Sequence, residues 1–149
     1  MDFLSSIKSP ATGWDKEETT SGGPFEEILD FDLFVNCILA LSPMEPFITQ
    51  ALIDRTEKKL RSISDVSCDP DSDCNMVPIY TKATTLESPI TEVSSGVFLT
   101  AIDNLPSILP RESSEDFSEQ LVSHILDFND ESMAIANSLN VFNLSVQKV

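Results

Sequence analysis

The chain has 149 residues, enough for one domain with its own hydrophobic core, and 41% of them are hydrophobic. Its 25 Asp and Glu residues outnumber nine Lys and Arg residues, which gives a formal net charge of −16. A field of that sign repels nucleic acids and anionic membrane surfaces, so we expect neither as a partner. The composition predicts an acidic, soluble, cytoplasmic protein.

Neither the cysteines nor the N-terminus indicates an extracellular protein. The three cysteines, Cys37, Cys68 and Cys74, are odd in number and irregularly spaced. That arrangement is typical of reduced thiols and not of a disulfide framework. The N-terminus carries no basic region followed by an apolar run, so we expect no secretory signal.

The first part of the chain changes character at Pro24. Residues 1–23 are rich in Ser, Thr, Gly and charge, and we expect them to be flexible. Pro24 suits the first turn of a short helix that continues to Leu29. Residues 33–41 are nearly all apolar, which predicts a strand buried on both faces, as in a parallel sheet.

A helix and a second strand follow, which completes a strand–helix–strand pattern. Thr49 can cap a helix that runs to Leu60. Residues 61–67 then form a strand-like run that closes with Asp65, and the first strand carries its own polar residue, Asn36, near its end. In α/β sheets ligands bind at the carboxyl ends of the strands. Asp65 is therefore a candidate ligand-side residue.

The second half of the chain predicts one more strand and two helices. Residues 77–85 alternate weakly and suggest a short extended segment, and residues 96–102 predict a third buried strand with a polar tip. Ser113 or Ser114 caps an amphipathic helix. The apolar face of that helix is expected to comprise Phe117, Leu121, Val122, Ile125 and Leu126. Residues 133–142 predict a last helix.

The candidate metal sites do not carry the ligands that a metal needs. Asp69, Asp71 and Asp73 have the spacing that opens an EF-hand loop, but its Gly and Glu positions hold Cys74 and Tyr80. We therefore expect a solvated acidic loop there. Zinc needs about four nitrogen or sulfur ligands, and the chain has three Cys and one His. We expect no metal site.

The lone histidine and the scarce glycines limit the chemistry further. His124 lies in the predicted amphipathic helix and is expected to be a partly exposed helix residue and not a general base. The chain has four glycines and contains no G-x-G-x-x-G, P-loop or G-x-S-x-G motif. A dinucleotide fold normally needs a Gly-rich turn against the pyrophosphate. From its residues alone, the chain is expected to form at most half of a nucleotide-binding domain.

Six motifs keep a characteristic order along the chain. They are WDKEET at 14–19, GGPFEEI at 22–28, FVNCI at 34–38, DVS at 65–67, PIYTKAT at 78–84 and IDNLPSILPRE at 102–112. In this order they resemble the C-terminal part of the fungal NAD-dependent, lysine-forming saccharopine dehydrogenases. That family lies within the alanine dehydrogenase and transhydrogenase-like superfamily. The resemblance extends over roughly residues 14–142.

The resemblance implies an activity and a fold. The family oxidises saccharopine with NAD to L-lysine and 2-oxoglutarate, the last step of the α-aminoadipate route of lysine biosynthesis. Its partners are thus small molecules, and its oligomeric state is left open here. The family has two Rossmann-like domains around a cleft, and its chain returns to the first domain at the C-terminus.

The resemblance also implies seven cofactor-binding residues. A loop facing the nicotinamide half of NAD corresponds to Cys37, Ile38 and Leu39. A dinucleotide-contacting stretch corresponds to Ser64, Asp65, Val66 and Ser67. Ser64 departs from the family, which usually has an apolar residue there, and so does the pair Ser113 and Ser114, which replaces Ala-Ser.

The expected fold class is α/β: an incomplete Rossmann-like parallel sheet with flanking helices and a C-terminal helical segment. We expect a flexible segment at 1–23, a partial NAD-binding Rossmann-like domain at 24–110, and at 111–149 a helical segment that returns toward the first domain. The family's acid–base Lys and His lie upstream, so no catalytic residue is expected in this chain. We expect a truncated product, a fragmentary gene model or one piece of a split protein.

The sequence is compatible with two functional hypotheses. In the first, the chain is an oxidoreductase portion that binds NAD only together with the missing portion and turns over no saccharopine alone. In the second, it is a non-catalytic truncated remnant or an interaction module that keeps the partial fold.

Overall fold

A four-stranded mixed sheet organises the N-terminal unit of the protein. We analysed a computed structural model, which describes residues 10–38, 40–126 and 133–146. The chain divides into two compact units, Met1–Asp103 and Asn104–Val149. The strands of the first unit are β1 (Leu33–Asn36), β2 (Ser62–Asp65), β3 (Thr91–Ser94) and β4 (Val97–Thr100).

The sheet has the order β1-β2-β4-β3, which confirms the α/β class. β1, β2 and β4 are parallel, whereas β3 pairs antiparallel with β4. The short segment of β3 has no apolar run and was not predicted; it joins β4 through Ser95 and Gly96, whose φ of +70° suits glycine. The predicted extended segment at 77–85 is reduced to one bridge, in which Thr84 pairs with Ile102.

Among the residues that the structure describes, one face of the sheet is buried and the other is largely exposed. Phe34, Ile63 and Leu99 lie side by side in register, and Ile63 and Leu99 belong to the core. On the opposite face the side chains of β1 and β4 are between 42% and 54% exposed: Leu33, Val35 and Phe98. The expectation that these strands are buried on both faces is therefore wrong. Apolar residues at consecutive positions of a strand point to opposite faces, and here only one face is covered.

The strand predicted for residues 33–41 ends early, at Asn36. The Asn36 side chain accepts a hydrogen bond from the backbone N–H of Ile38 at 3.3 Å. This local bond offers the backbone an alternative to the sheet ladder. The strand therefore stops although apolar residues continue.

The predicted crossover helix is also shorter than expected. Helix α2 covers Gln50–Ile53, and the hydroxyl of Thr49 caps it by accepting from the Leu52 N–H, as predicted. At its C-terminal end, Ser94 Oγ and Lys58 Nζ both donate to the Ile53 carbonyl, a terminal group for which the helix itself supplies no partner. The expectation of a helix to Leu60 is thus wrong.

Short helices precede the sheet. Helix α1 covers Lys16–Thr19 and begins with a capping box between Asp15 and Glu18. The helix predicted after Pro24 is a 3-10 helix at Glu26–Asp30. The flexibility predicted for residues 1–23 and the three-part division of the chain stay predictions.

The core of the first unit collects residues from the strands and from the loops between them. Its fully buried members include Ile48, Ile53, Leu60, Ile63, Val77, Val97, Leu99 and Ala101. Because loop residues fill the core beside strand residues, the connections after β1 and β2 are packed against the sheet.

The second unit is helical. It contains a 3-10 helix at Leu105–Ile108, helix α3 at Pro110–Leu126 and helix α4 at Met133–Val146. α3 starts before the predicted caps Ser113 and Ser114, and none of its residues is buried. α4 confirms the predicted last helix and extends it by four residues, from 142 to 146. Within the described ranges, no helix is both long enough and apolar enough to cross a membrane.

Gly23 gives a test of the packing around the sheet. A Cβ atom at Gly23 would lie 2.0 Å from the Pro46 carbonyl oxygen, whereas one at Gly13 would have no atom within 4 Å. Gly23→Ala should therefore lower the free energy of unfolding by about 1–3 kcal/mol or more. Gly13→Ala, the matched control, should change it by less than about 0.5 kcal/mol. Urea unfolding followed by the fluorescence of the single Trp, Trp14, measures both, and equal stabilities would contradict the packing described.

Candidate functional site

Asp65 lies at the carboxyl end of β2 and is 1% exposed. Its Oδ1 accepts hydrogen bonds from Asn36 Nδ2 at 2.9 Å and, more weakly, from the Cys68 N–H at 3.4 Å. Its Oδ2 accepts from the Tyr80 hydroxyl at 2.7 Å. All three partners donate to Asp65, so the arrangement suits a charged carboxylate, which can only accept. A buried carboxylate is tolerated when such donors satisfy it.

Asn36 connects the ends of β1 and β2. It is buried and sits beside Asp65 in the parallel register. Its carbonyl accepts from the Val66 N–H at 2.8 Å, while its side-chain oxygen holds the Ile38 N–H. The Ser67 hydroxyl then donates to the Ile38 carbonyl at 2.5 Å. The loops that leave β1 and β2 are therefore bonded to each other.

Cys68 links these loops to the end of β4. Its backbone has a φ of +47°, a left-handed conformation that is uncommon for a non-glycine residue. Its thiol donates to the Ala101 carbonyl at 3.2 Å. Partial burial, followed by the nearby charges of Asp103 and Asp65, raises the pKa of the Cys68 thiol. The raised pKa favours the protonated thiol, which donates to Ala101, over a reactive thiolate.

Tyr80 closes the acidic loop that follows β2. The phenol is buried and reaches back over 15 residues to Asp65. Burial, then the hydrogen bond and the charge of Asp65, raises the pKa of the Tyr80 hydroxyl well above its ordinary value. Asp69, Asp71 and Asp73 within the loop are exposed, as predicted. Across the described residues, no three His, Cys, Asp or Glu side chains are grouped to hold a metal ion.

The predicted cofactor residues meet at one edge of the sheet but differ in exposure. Cys37 and Val66 are exposed, the latter by 42%. Ile38, Ser64 and Ser67 are half-buried, and Asp65 is buried. Leu39 lies outside the described residues. At this edge the exposed residues Cys37 and Val66 therefore lie beside the buried, hydrogen-bonded Asp65.

Sequence reasoning missed Tyr80 and Cys68 as parts of this edge. The signal for Tyr80 was available, because a tyrosine within an apolar stretch needs a hydrogen-bond partner for its hydroxyl once buried. Which residue supplies that partner depends on how the 15-residue connection folds. No local pattern around Cys68 indicates that its thiol reaches Ala101.

Two depressions of the surface are lined by residues other than the predicted cofactor residues. One, of about 740 Å³, runs in the second unit along Ser107, Pro110, Ser113, Ser114, Asp116 and Phe117. Another, of about 230 Å³, is lined by residues 82–85, 88, 90 and 91. The exposed residues Cys37 and Val66 make the carboxyl edge a surface that is suited to form one wall of a cleft.

Tyr80 generates a prediction for alkaline pH. The folded chain holds the Tyr80 proton, whereas the unfolded chain releases it above about pH 10. The unfolded state then binds fewer protons than the folded state, so stability falls as the pH rises. Wild type should therefore lose more stability between about pH 8 and about pH 11 than Tyr80→Phe does. Urea unfolding over this range checks it, and parallel stability curves would contradict the assignment.

Comparison with known proteins finds several curated relatives that all carry the same name. No family model matches the chain. Over 76% of its length it is 48% identical to the saccharopine dehydrogenase [NAD(+), L-lysine-forming] of Yarrowia lipolytica, of which it covers 32%. The enzyme of the same name from Neurospora crassa is 46% identical over 78% of the chain and is covered to 33%. That from Candida glabrata is 43% identical over 82% and is covered to 35%.

The chain spans about a third of the length of the curated relatives it matches. Identities of 40–48% over most of the chain confirm the resemblance that the motif order indicated. The chain is a saccharopine dehydrogenase-like sequence that corresponds to about one third of those oxidoreductases.

Proposed function

We propose that this chain supplies one wall of the NAD-binding cleft of a saccharopine dehydrogenase. The observation that carries the proposal is the meeting of Asn36, Asp65, Ser67 and Cys68 at the carboxyl edge of three parallel strands. Ligands of α/β sheets bind at that edge. The relatives are named for NAD and for lysine formation, which supports the same assignment.

The exposure of the edge residues suggests how they divide the work. Cys37 and Val66 offer exposed, weakly polar surface on which part of the dinucleotide can lie. Ile38, Ser64 and Ser67 are half-buried. Leu39 and Asp65 complete the set of residues that we propose to build the cofactor site, whether by contact or by support. Asp65 forms the buried floor of the site, because its carboxylate oxygens already accept hydrogen bonds from Asn36 and Tyr80.

The residues present fit part of NAD and not all of it. Exposed apolar and small side chains at the edge suit a ring, but the sequence has no Gly-rich turn to receive the pyrophosphate. The phosphates would therefore be held by another segment of polypeptide. Bound NAD would supply a hydride acceptor, and the residues of this chain would orient it and exclude water from one side.

We propose the corresponding reaction as that of the complete protein: oxidation of saccharopine to L-lysine and 2-oxoglutarate, in lysine biosynthesis. None of the described residues is proposed as its acid–base catalyst. We further propose residues 24–110 as the partial cofactor domain, residues 111–149 as a helical segment that packs on the absent portion, and the cytoplasm as the compartment.

The test is an NAD titration of this chain with and without a separately produced remaining portion of the Yarrowia lipolytica enzyme. Saturable NAD binding should appear when the two associate and should be absent or far weaker for the chain alone. Saccharopine-dependent NADH formation should likewise require both. Light scattering first establishes that the two polypeptides associate.

A matched pair of variants makes the test specific to the edge. Val66 and Phe98 are each 42% exposed, but Phe98 pairs with Ser62 at the opposite end of β2. Val66→Asp replaces an apolar contact surface for a ring of the cofactor with a hydrated charge, and should weaken NAD binding about tenfold or more. Phe98→Asp should leave it within about twofold wherever association is preserved. Absence of NAD binding in an associated wild-type mixture would refute the proposal and favour the non-catalytic interaction module.

A further inference from the structure

We infer that Asp65 is a positioning residue, which holds the two loops of the cofactor edge in place through Tyr80 and Asn36 and does not itself contact the cofactor. The inference rests on the proposed function for the identity of the ligand. It adds to the proposed function a role for the buried Tyr80, to which the sequence motifs gave none. It also separates the residues that touch the ligand from those that shape the site.

The burial of Asp65 argues against direct contact. The residue is 1% exposed, and each carboxylate oxygen already accepts at least one hydrogen bond. A ligand could reach these oxygens only by displacing Tyr80, Asn36 or the Cys68 N–H. Displacement would leave a buried donor unsatisfied, which is costly.

The bonds of Asp65 lead directly to both loops. Asn36, held by Asp65, fixes the Ile38 N–H in the loop after β1. The Cys68 N–H, bonded to Asp65, lies in the loop after β2 next to Ser67. The Ser67 hydroxyl closes the ring by donating to the Ile38 carbonyl. Movement of the carboxylate would therefore be felt at the exposed residues Cys37 and Val66.

Tyr80 fixes the carboxylate from the other side. Its hydroxyl makes the shortest of the three bonds, 2.7 Å, against 2.9 Å from Asn36 and 3.4 Å from Cys68. Tyr80 is itself buried and thus not placed to touch a ligand. Removal of this hydroxyl should disturb the loops in the same way as a change at Asp65.

The first measurement is amide hydrogen exchange in the 149-residue chain without any ligand. Tyr80→Phe and Asp65→Asn should each speed exchange of the Ile38 and Cys68 amides by about tenfold, the effect of losing one hydrogen bond to a charged group. Thr19→Val is the matched control. It also removes a buried hydroxyl, which donates to the Asp15 carbonyl. Because this bond is far in sequence from Ile38 and Cys68, the exchange of those two amides should stay unchanged.

The second measurement is a double-mutant cycle on NAD affinity in the two-part assembly. Asp65→Asn and Tyr80→Phe should each weaken NAD binding by a similar factor, about tenfold. The double variant should bind no more weakly than either single one, because both changes break the same link. An effect of Asp65→Asn that persists undiminished in the Tyr80→Phe background would indicate direct contact and overturn the inference.

The two measurements separate the inference from the proposed function. If the associated wild type binds no NAD, the proposed function fails, and the exchange data alone decide whether Asp65 positions the loops. Unchanged exchange of Ile38 and Cys68 in Tyr80→Phe would overturn the inference whatever the NAD result. If Asp65→Asn does not fold, Tyr80→Phe, which keeps the carboxylate, still gives both readings.

Discussion

The buried carboxylate of Asp65 is the constraint on which the carboxyl edge of the sheet depends. A lone charge at 1% exposure would be far too costly to keep, so the surrounding chain must bring donors to it. Asn36 comes from β1, Cys68 from the turn after β2 and Tyr80 from the end of the acidic loop. One residue thus sets where three separate segments lie.

This arrangement gives the edge a rigid base and a variable surface. The bonded layer includes Asn36, Asp65 and Tyr80, whereas Cys37 and Val66 lie above it and stay exposed. Binding sites work best when the residues that contact a ligand are held by others that do not. The acidic character of the whole chain fits this picture, because a wall without cations can orient a dinucleotide but cannot by itself hold its phosphates.

The sequence predicted the α/β class and strands that end in the polar residues Asn36 and Asp65, because apolar runs and polar strand tips are local signals. It did not predict where α2 ends, at Ile53, whose carbonyl accepts hydrogen bonds from Lys58 and from Ser94, a residue 41 positions away. Nor did it predict that one face of β1 stays exposed. An apolar run has the same sequence pattern whether a strand is buried on both faces or on one. The Tyr80–Asp65 bond depends on loop folding, which no spacing rule gives.

The most direct test of this account compares the free energy of unfolding of Asp65→Ala with that of Asp69→Ala. Both variants remove one negative charge from the same part of the chain, but Asp69 is exposed. Asp65→Ala leaves the buried Asn36 and Tyr80 donors without their acceptor and should cost about 3 kcal/mol or more. Asp69→Ala should stay within about 0.5 kcal/mol of wild type. Equal stabilities for the two variants would contradict the central place given to Asp65.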